Sequence, residues 1–88
     1  QNSMRDEAVN VVDLKTRELR NTPFGLISLG TVTEADISRN FRNFTVPYTP
    51  VRTVEEINTG TKQITMSVDW TYRGHNYGHS VTTIMRDQ

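Results

Sequence analysis

The chain has 88 residues, enough for one domain with a single small core. Its hydrophobic fraction is 34% and its mean hydropathy is -0.59, so few large apolar groups are available for burial. Ten basic residues balance ten acidic ones. Nucleic-acid binding, which normally needs a basic excess, is therefore unlikely. Cysteine is absent, which excludes disulfides, thiolate zinc ligands and a cysteine nucleophile.

The first predicted element is a helix from Met4 to Arg20. Apolar residues recur at three- and four-residue spacing, and Lys15 interrupts the stripe that they form. Acidic residues lie near the start of this segment and basic residues near its end, which complements the helix dipole. We expect an amphipathic helix that packs on a sheet.

Residues 21–40 are predicted to connect the helix to the sheet. Pro23 cannot continue the helix. The segment from Phe24 to Val32 is apolar but interrupted by glycines, which favours a packed loop with some extended structure. A Thr-x-x-acid pattern that begins at Thr33 predicts a short helical turn from Glu34 to about Asn40.

Residues 41–88 are predicted to form the sheet. Pro47 and Pro50 favour an edge strand or a bend at its start. The next extended segment, Val51 to Ile57, has no cleanly apolar face, and we expect Val54 to point inward. Gly60 lies in a predicted hairpin turn, where it supplies a positive φ.

The clearest strand signal is the segment from Lys62 to Tyr72, which alternates without interruption between an apolar and a polar face. Its inward residues are Ile64, Met66, Val68, Trp70 and Tyr72. A last strand is predicted from Tyr77 to Asp87, with a bulge near Thr83 or a change of face, because Ile84 is out of phase. The predicted fold is α+β: one N-terminal helix on a three- to four-stranded antiparallel β-meander.

No residue pattern indicates catalysis. His75 and His79 are four residues apart across a turn and a strand, a spacing that does not direct both imidazoles to one metal ion. Glu55 and Glu56 are adjacent, so their side chains leave opposite faces of a strand and cannot form a close acid/base pair. The glycines form no phosphate-binding loop, and no calcium-binding loop is present. We expect no catalytic residues, no cofactor, no metal and no small-molecule substrate.

Three segments resemble the soluble part of minor type IV pilins and type II secretion pseudopilins. Residues 14–21, Leu-Lys-Thr-Arg-Glu-Leu-Arg-Asn, are similar to the charged end of the pilin helix. Residues 62–72 are similar to the K-x-I-x-V-x-V-x-W strand of that family, and residues 79–86 to its closing strand. The three segments appear in the family's order and cover somewhat under half of the chain.

This resemblance implies a structural role in a bacterial filament. It implies that an apolar helix precedes Met4 in the full-length protein, anchoring the chain in the inner membrane before assembly and contacting the assembly platform. The soluble domain would then be periplasmic or extracellular, and its partners would be other pilin or pseudopilin subunits. The candidate subunit contacts lie on the polar side of the helix and in the following loop: Asp13, Arg17, Glu18, Arg20, Phe24 and Leu26.

An alternative hypothesis is an adhesion or ligand-binding module, including one that binds DNA. Such a module would need its arginines exposed together on one surface. The candidate patch consists of Arg39, Arg42, Arg52 and Arg73.

Overall fold

Helix α1 lies across one face of an antiparallel sheet in the computed structural model, which describes residues 2–87. The α+β class is as predicted, with five strands in place of three to four. The elements are α1 (Asn2–Arg20), a 3-10 turn (Phe24–Leu26), β1 (Gly30–Thr33), β2 (Ile37–Asn40), β3 (Thr45–Asn58), β4 (Thr61–Tyr72) and β5 (His75–Arg86).

Strands β3, β4 and β5 form the predicted meander, and β1 and β2 share the outer edge of β3. Strand β1 pairs with Val51–Val54, and β2 pairs with Thr45–Tyr48. The expected helical turn from Glu34 to Asn40 is wrong, because Ile37–Asn40 is a strand. Strand β3 is 14 residues long, and both short strands pair with its outer edge one after the other. This pairing between distant segments overrides the local helix signal.

Each proline of β3 has a partner strand on one side and faces a gap on the side toward which its N–H would point. We expected Pro47 and Pro50 to mark an edge or a bend, but β3 has partners on both sides. Pro50 lies between the part of β3 that pairs with β1 and the part that pairs with β2, and its carbonyl accepts a bond of 2.9 Å from the Glu34 amide. Pro47 lies beyond Thr49, where the β3–β4 ladder ends. Neither position therefore requires an N–H from proline.

The core lies between α1 and the inner face of the sheet. Ala8, Val11 and Val12 of the helix are 0–1% exposed. They belong to the same buried cluster as the inward residues of β4, and Trp70 is only 5% exposed. The expected inward orientation of Val54 is confirmed, because its side chain is buried.

Tyr48 joins the sheet to the start of the helix. Its side chain is fully buried, and its hydroxyl donates a hydrogen bond of 2.9 Å to the Met4 carbonyl. Its ring centroid is 5.4 Å from that of Trp70, a distance at which aromatic rings attract each other. Burial raises the pKa of Tyr48 to about 12, and the negative charge of Glu7 acts in the same direction.

Glycines lie in the turns of the two long hairpins. Gly60 and Gly74 have φ values of +80° and +78°, as their turns require. The β4–β5 register is continuous, so the bulge expected near Thr83 is wrong. Ile84 keeps its phase and points to the open face, where it is half-exposed on an outer strand. The irregularity of the sheet lies in β3, between Glu56 and Asn58.

A polar network explains the interruption of the apolar stripe at Lys15. Its ammonium lies 2.7 Å from the Glu34 carboxylate and 3.2 Å from that of Glu18. Arg52 reaches Glu34 from the sheet at 3.4 Å. The hydrogen bond to Glu34 raises the pKa of Lys15, although partial burial opposes that shift. The network ties the helix and β3 to the connection between β1 and β2.

Candidate interaction surface

Strand β5 forms a long free edge of the sheet. It spans 12 residues, and no other strand in the described part of the chain pairs with its outer side. The turn before it contains two residues of positive φ, Arg73 and Gly74, with Tyr72 opposite His75. In such a two-residue hairpin the flanking pair is hydrogen-bonded, and bonded pairs then alternate along the strands. The even-numbered residues of β5 therefore direct their N–H and C=O groups away from the sheet.

This edge lacks the usual protection against strand pairing. From His75 to Met85 the sequence contains no Lys, Arg, Asp, Glu or Pro. The strand also has no bulge. Natural sheets normally shield long edges with charges, prolines or bulges. An unshielded edge of this length is a surface on which an extended segment of another chain can add as a further strand.

A groove runs beside the inner side of this edge. It lies between α1 and β5, has a volume of about 320 Å³, and brings together three of the predicted contact residues: Asp13, Arg17 and Arg20. Val81 of β5 lines the groove and is 39% exposed. The Arg20 guanidinium donates a 3.4 Å hydrogen bond to the Thr83 hydroxyl and so links the helix to the edge strand.

The fourth predicted helix contact, Glu18, is turned toward Lys15, with which it forms an ion pair of 3.2 Å. The two residues are three apart on the helix, a spacing that brings side chains into contact. Glu18 is exposed, but it does not line the groove. The predicted helix contacts thus divide into three groove residues and one residue of the Lys15 network.

The predicted loop contacts differ from each other in exposure. Leu26 is 72% exposed, and Leu29 beyond it is 54% exposed. Phe24 is half-buried because its ring lies against the Lys62 ammonium, 4.3 Å from the ring centroid. Leu26 and Leu29 therefore form an apolar surface, which we call the leucine loop. It leads directly into β1, at the opposite edge of the sheet from β5.

Lys62 holds the leucine loop in place, a role that the sequence pattern did not reveal. Its ammonium donates hydrogen bonds of 2.8 Å to the carbonyls of Phe24 and Ile27, and the residue is only 7% exposed. In the sequence Lys62 appears only as the polar start of an alternating strand. Its partners lie 38 and 35 residues earlier, and backbone carbonyls leave no sequence signal.

The four arginines of the predicted ligand patch have different surroundings. Arg39 forms an ion pair of 2.7 Å with Glu7, and Arg52 forms one of 3.4 Å with Glu34. Arg42 is exposed in the turn between β2 and β3, and the Arg73 guanidinium lies 5.1 Å from the Tyr72 ring centroid. Carboxylates partly neutralise two of the four charges, which leaves little positive charge for a polyanion.

The histidines considered for chemistry lie on β5 and the glutamates on β3. His75 is exposed, and its ring centroid is 6.5 Å from that of Tyr77. Glu55 and Glu56 are exposed on β3. Residues 2–87 contain no group of three or more His, Cys, Asp or Glu side chains that could hold a metal ion.

The three segments that carry the pilin resemblance lie in α1, β4 and β5, and these elements contact one another. No helix in the described residues combines the length and the apolar character needed to cross a membrane. Comparison with protein-family models, with curated proteins and with solved structures gave no match to this chain.

Proposed function

We propose that this chain is a structural subunit of a bacterial filament, either a minor type IV pilin or a type II secretion pseudopilin. The observation that carries the assembly role is the unshielded edge of β5 beside the charged groove of α1. The family assignment comes from the three resembling segments, which form the helix and the two strands next to that surface. In this proposal the domain lies in the cell envelope, outside the inner membrane.

The assembly contact is head-to-tail. The β5 edge accepts the leucine loop of the next subunit, which lies at the opposite sheet edge of that subunit. Such a contact between two different surfaces generates an open filament when the rotation between subunits does not close a ring. Leu26 of the incoming loop packs against Val81, and the backbone that follows the 3-10 turn, at Ser28 and Leu29, pairs with the outward groups of β5. The net charge is zero, so copies of the chain do not repel one another.

The filament proposal is tested by deleting the gene in its host. We expect the deletion strain to lose pili or to lose type II secretion, and a plasmid copy to restore it. Normal pilus assembly together with normal secretion in the deletion strain would overturn the proposal.

The edge contact is tested with two matched proline variants. Ser80→Pro removes an outward N–H from β5 and leaves the β4 ladder intact. Ser38→Pro is the control, because Ser38 is an exposed even-numbered residue of β2 whose N–H points away from β3 by the same alternation. We expect only Ser80→Pro to abolish restoration of the deletion strain. Equal activity of the two variants, at equal protein level, would refute the edge contact.

Cysteine cross-linking tests the direction of assembly, since the chain has no cysteine of its own. In filaments built from the variant that carries both Leu26→Cys and Val81→Cys, we expect a ladder of disulfide-linked multimers, because the proposed contact places Leu26 against Val81 on the groove side of the sheet. Val81→Cys alone should remain monomeric. Dimers from Val81→Cys alone would mean that two β5 edges pair with each other and would refute the head-to-tail arrangement.

A further inference from the structure

A second concavity lies at the other side of the β4–β5 hairpin. The β3–β4 ladder ends at the pair Thr49 and Asp69, whereas β4 continues to Tyr72 beside β5. Strand β3 runs back to Thr45 beside β2. The two strands therefore separate and leave a cleft of about 430 Å³ between them. This volume lies within the range of about 300–1,000 Å³ that is usual for small-molecule sites.

The cleft opens where the sequence places Pro47. Asp69 pairs with Thr49, and the next bonded pair of the ladder would join Thr71 to Pro47. Proline has no N–H, so this pair cannot form in full and the ladder stops. The N–H and C=O groups of Thr71 then face the cleft. Free backbone groups beside a cavity of this size are available to a ligand.

The side chains of the cleft offer both donors and acceptors. The Asp69 carboxylate lies over Gly78, where a Cβ would come within 3.0 Å of its Oδ1 atom, so glycine makes room for it. The Thr71 hydroxyl donates to Asn76 Oδ1 at 3.0 Å, which fixes the amide and leaves its Nδ2 group as a donor. Asn76 and Tyr77 also line the cleft.

This set of groups selects a class of ligand. The described residues that line the cleft include no Lys or Arg, so a phosphate or carboxylate ligand would meet no cation. They include one carboxylate, Asp69, whereas divalent cations generally require several charged or carbonyl ligands. Hydroxyl groups both donate and accept, and therefore match a carboxylate, an amide N–H and the backbone groups of one strand.

We infer that this cleft binds a neutral saccharide unit. Vicinal hydroxyls of the sugar donate to the Asp69 carboxylate, and another accepts from Asn76 Nδ2. The proposed filament contact at Ser80 and Val81 uses residues outside the cleft lining, so saccharide binding does not depend on that contact. A pilin-like subunit with such a site would also serve in adhesion.

The inference is tested by titrating the isotope-labelled chain with the methyl glycosides of glucose, galactose, mannose and N-acetylglucosamine, observed by amide NMR. We expect at least one sugar to shift the amides of Asp69–Thr71 and Asn76–Gly78. Asp69→Asn should weaken that binding at least tenfold, because the amide replaces one acceptor oxygen by a donor. Gly78→Ala should weaken it too, because its Cβ displaces the carboxylate. Asp6→Asn, an exposed aspartate on α1, is the matched control and should leave the affinity unchanged.

Three results would overturn the inference. The first is an unchanged spectrum with all four sugars at millimolar concentrations. The second is a binding event of equal affinity in the wild type and in Asp69→Asn. The third is a response of these amides to calcium chloride alone that is lost in Asp69→Asn, which would identify a cation site. Dispersed amide spectra of each variant show that the variant is folded.

Discussion

Replacement of Lys62 by Met tests whether a buried ammonium holds the leucine loop to the sheet. The substitution keeps most of the aliphatic volume and removes two charge-assisted hydrogen bonds of 2.8 Å and the contact with the Phe24 ring. Each such bond contributes about 1.5–3 kcal/mol, so the gross loss is about 3–6 kcal/mol. Removal of a buried charge also recovers desolvation energy of several kcal/mol.

The two carbonyls that Lys62 contacts differ in the hydrogen bonds that they keep in the Lys62→Met variant. The Phe24 carbonyl still accepts a bond of 3.2 Å from the Ile27 amide, whereas the Ile27 carbonyl loses its bond to the ammonium. We therefore expect a net loss of about 2–3 kcal/mol in the free energy of unfolding. For a domain of this size that loss lowers Tm by about 10–20 °C.

Urea unfolding of the variant measures the loss, and amide hydrogen exchange locates it. The Leu26 and Ile27 amides, which bond within the loop, should exchange faster in the Lys62→Met variant than in the wild type. Gln63→Met is the matched control, since its side chain lies on the opposite face of the same strand, and should change stability by less than about 0.5 kcal/mol. Equal stability and equal loop exchange in Lys62→Met and the wild type would show that the ammonium does not hold the loop.

Three further predictions, two of them with a control variant, test a buried tyrosine, a turn glycine and the buried face of β3. The pKa of Tyr48 is raised to about 12 in the folded protein, so the stabilisation by its neutral phenol is complete below about pH 10 and is lost as pH rises through 12. In Tyr48→Phe the loss of stability over that pH interval, measured by urea unfolding, should be smaller by about 2–3 kcal/mol. Gly60→Ala should lower the free energy of unfolding by about 1–2 kcal/mol through the positive φ alone, because the added Cβ would meet no atom within 4 Å. Gly25→Ala is the control: its Cβ would also meet no atom, its φ is not positive, and its thermal unfolding should be unchanged. Val54→Ala should cost about 2–3 kcal/mol and Ile57→Ala, half-exposed, less than about 1 kcal/mol; equal losses in urea would contradict the assignment of the buried face of β3.

The strands with strong alternation could be predicted from the sequence, whereas the pairing of the short strands could not. Residues 62–72 alternate so regularly that their inner face, and the burial of Trp70, follow from a period of two. Strands β1 and β2 have only four residues each, and most of their side chains are exposed. These two strands form because the outer edge of β3 is available for pairing. The availability of that edge depends on the tertiary structure rather than on the local sequence.

The prolines of β3 also show which part of the fold could be predicted from the sequence and which could not. The missing N–H of proline correctly indicates a position without a ladder bond. The sequence does not tell whether that position lies on an outer strand or at a gap inside the sheet. In β3 it is a gap: Pro50 lies between two short partner strands, and Pro47 ends one ladder and opens the saccharide cleft. The signal was present in the sequence, but the cleft depends on residues of three strands.

Besides the ladder between β1 and β3, cations hold the connection between α1 and β2 at two points, and salt should distinguish these two points. Few of its apolar side chains are buried; Ile27 is one of them. At one end Lys62, which is 7% exposed, holds the loop carbonyls. At the other end Lys15 and Arg52, whose side chains are 17% and 22% exposed, hold Glu34. Salt at about 1 M reduces the Debye length to about 3 Å and weakens accessible ion pairs far more than buried ones.

We therefore expect salt to loosen only the Glu34 end of the connection. The Glu34 amide, which bonds to the Pro50 carbonyl at 2.9 Å, should exchange about two- to fivefold faster in 1 M sodium chloride, since partly exposed pairs contribute about 0.5–1 kcal/mol. The Ile27 amide at the Lys62 end should not respond. In Glu34→Gln the salt effect should disappear, because the carboxylate that both cations contact is gone. Equal acceleration of both amides would mean that the connection opens as one unit, and that burial of the Lys62 ammonium does not set its strength.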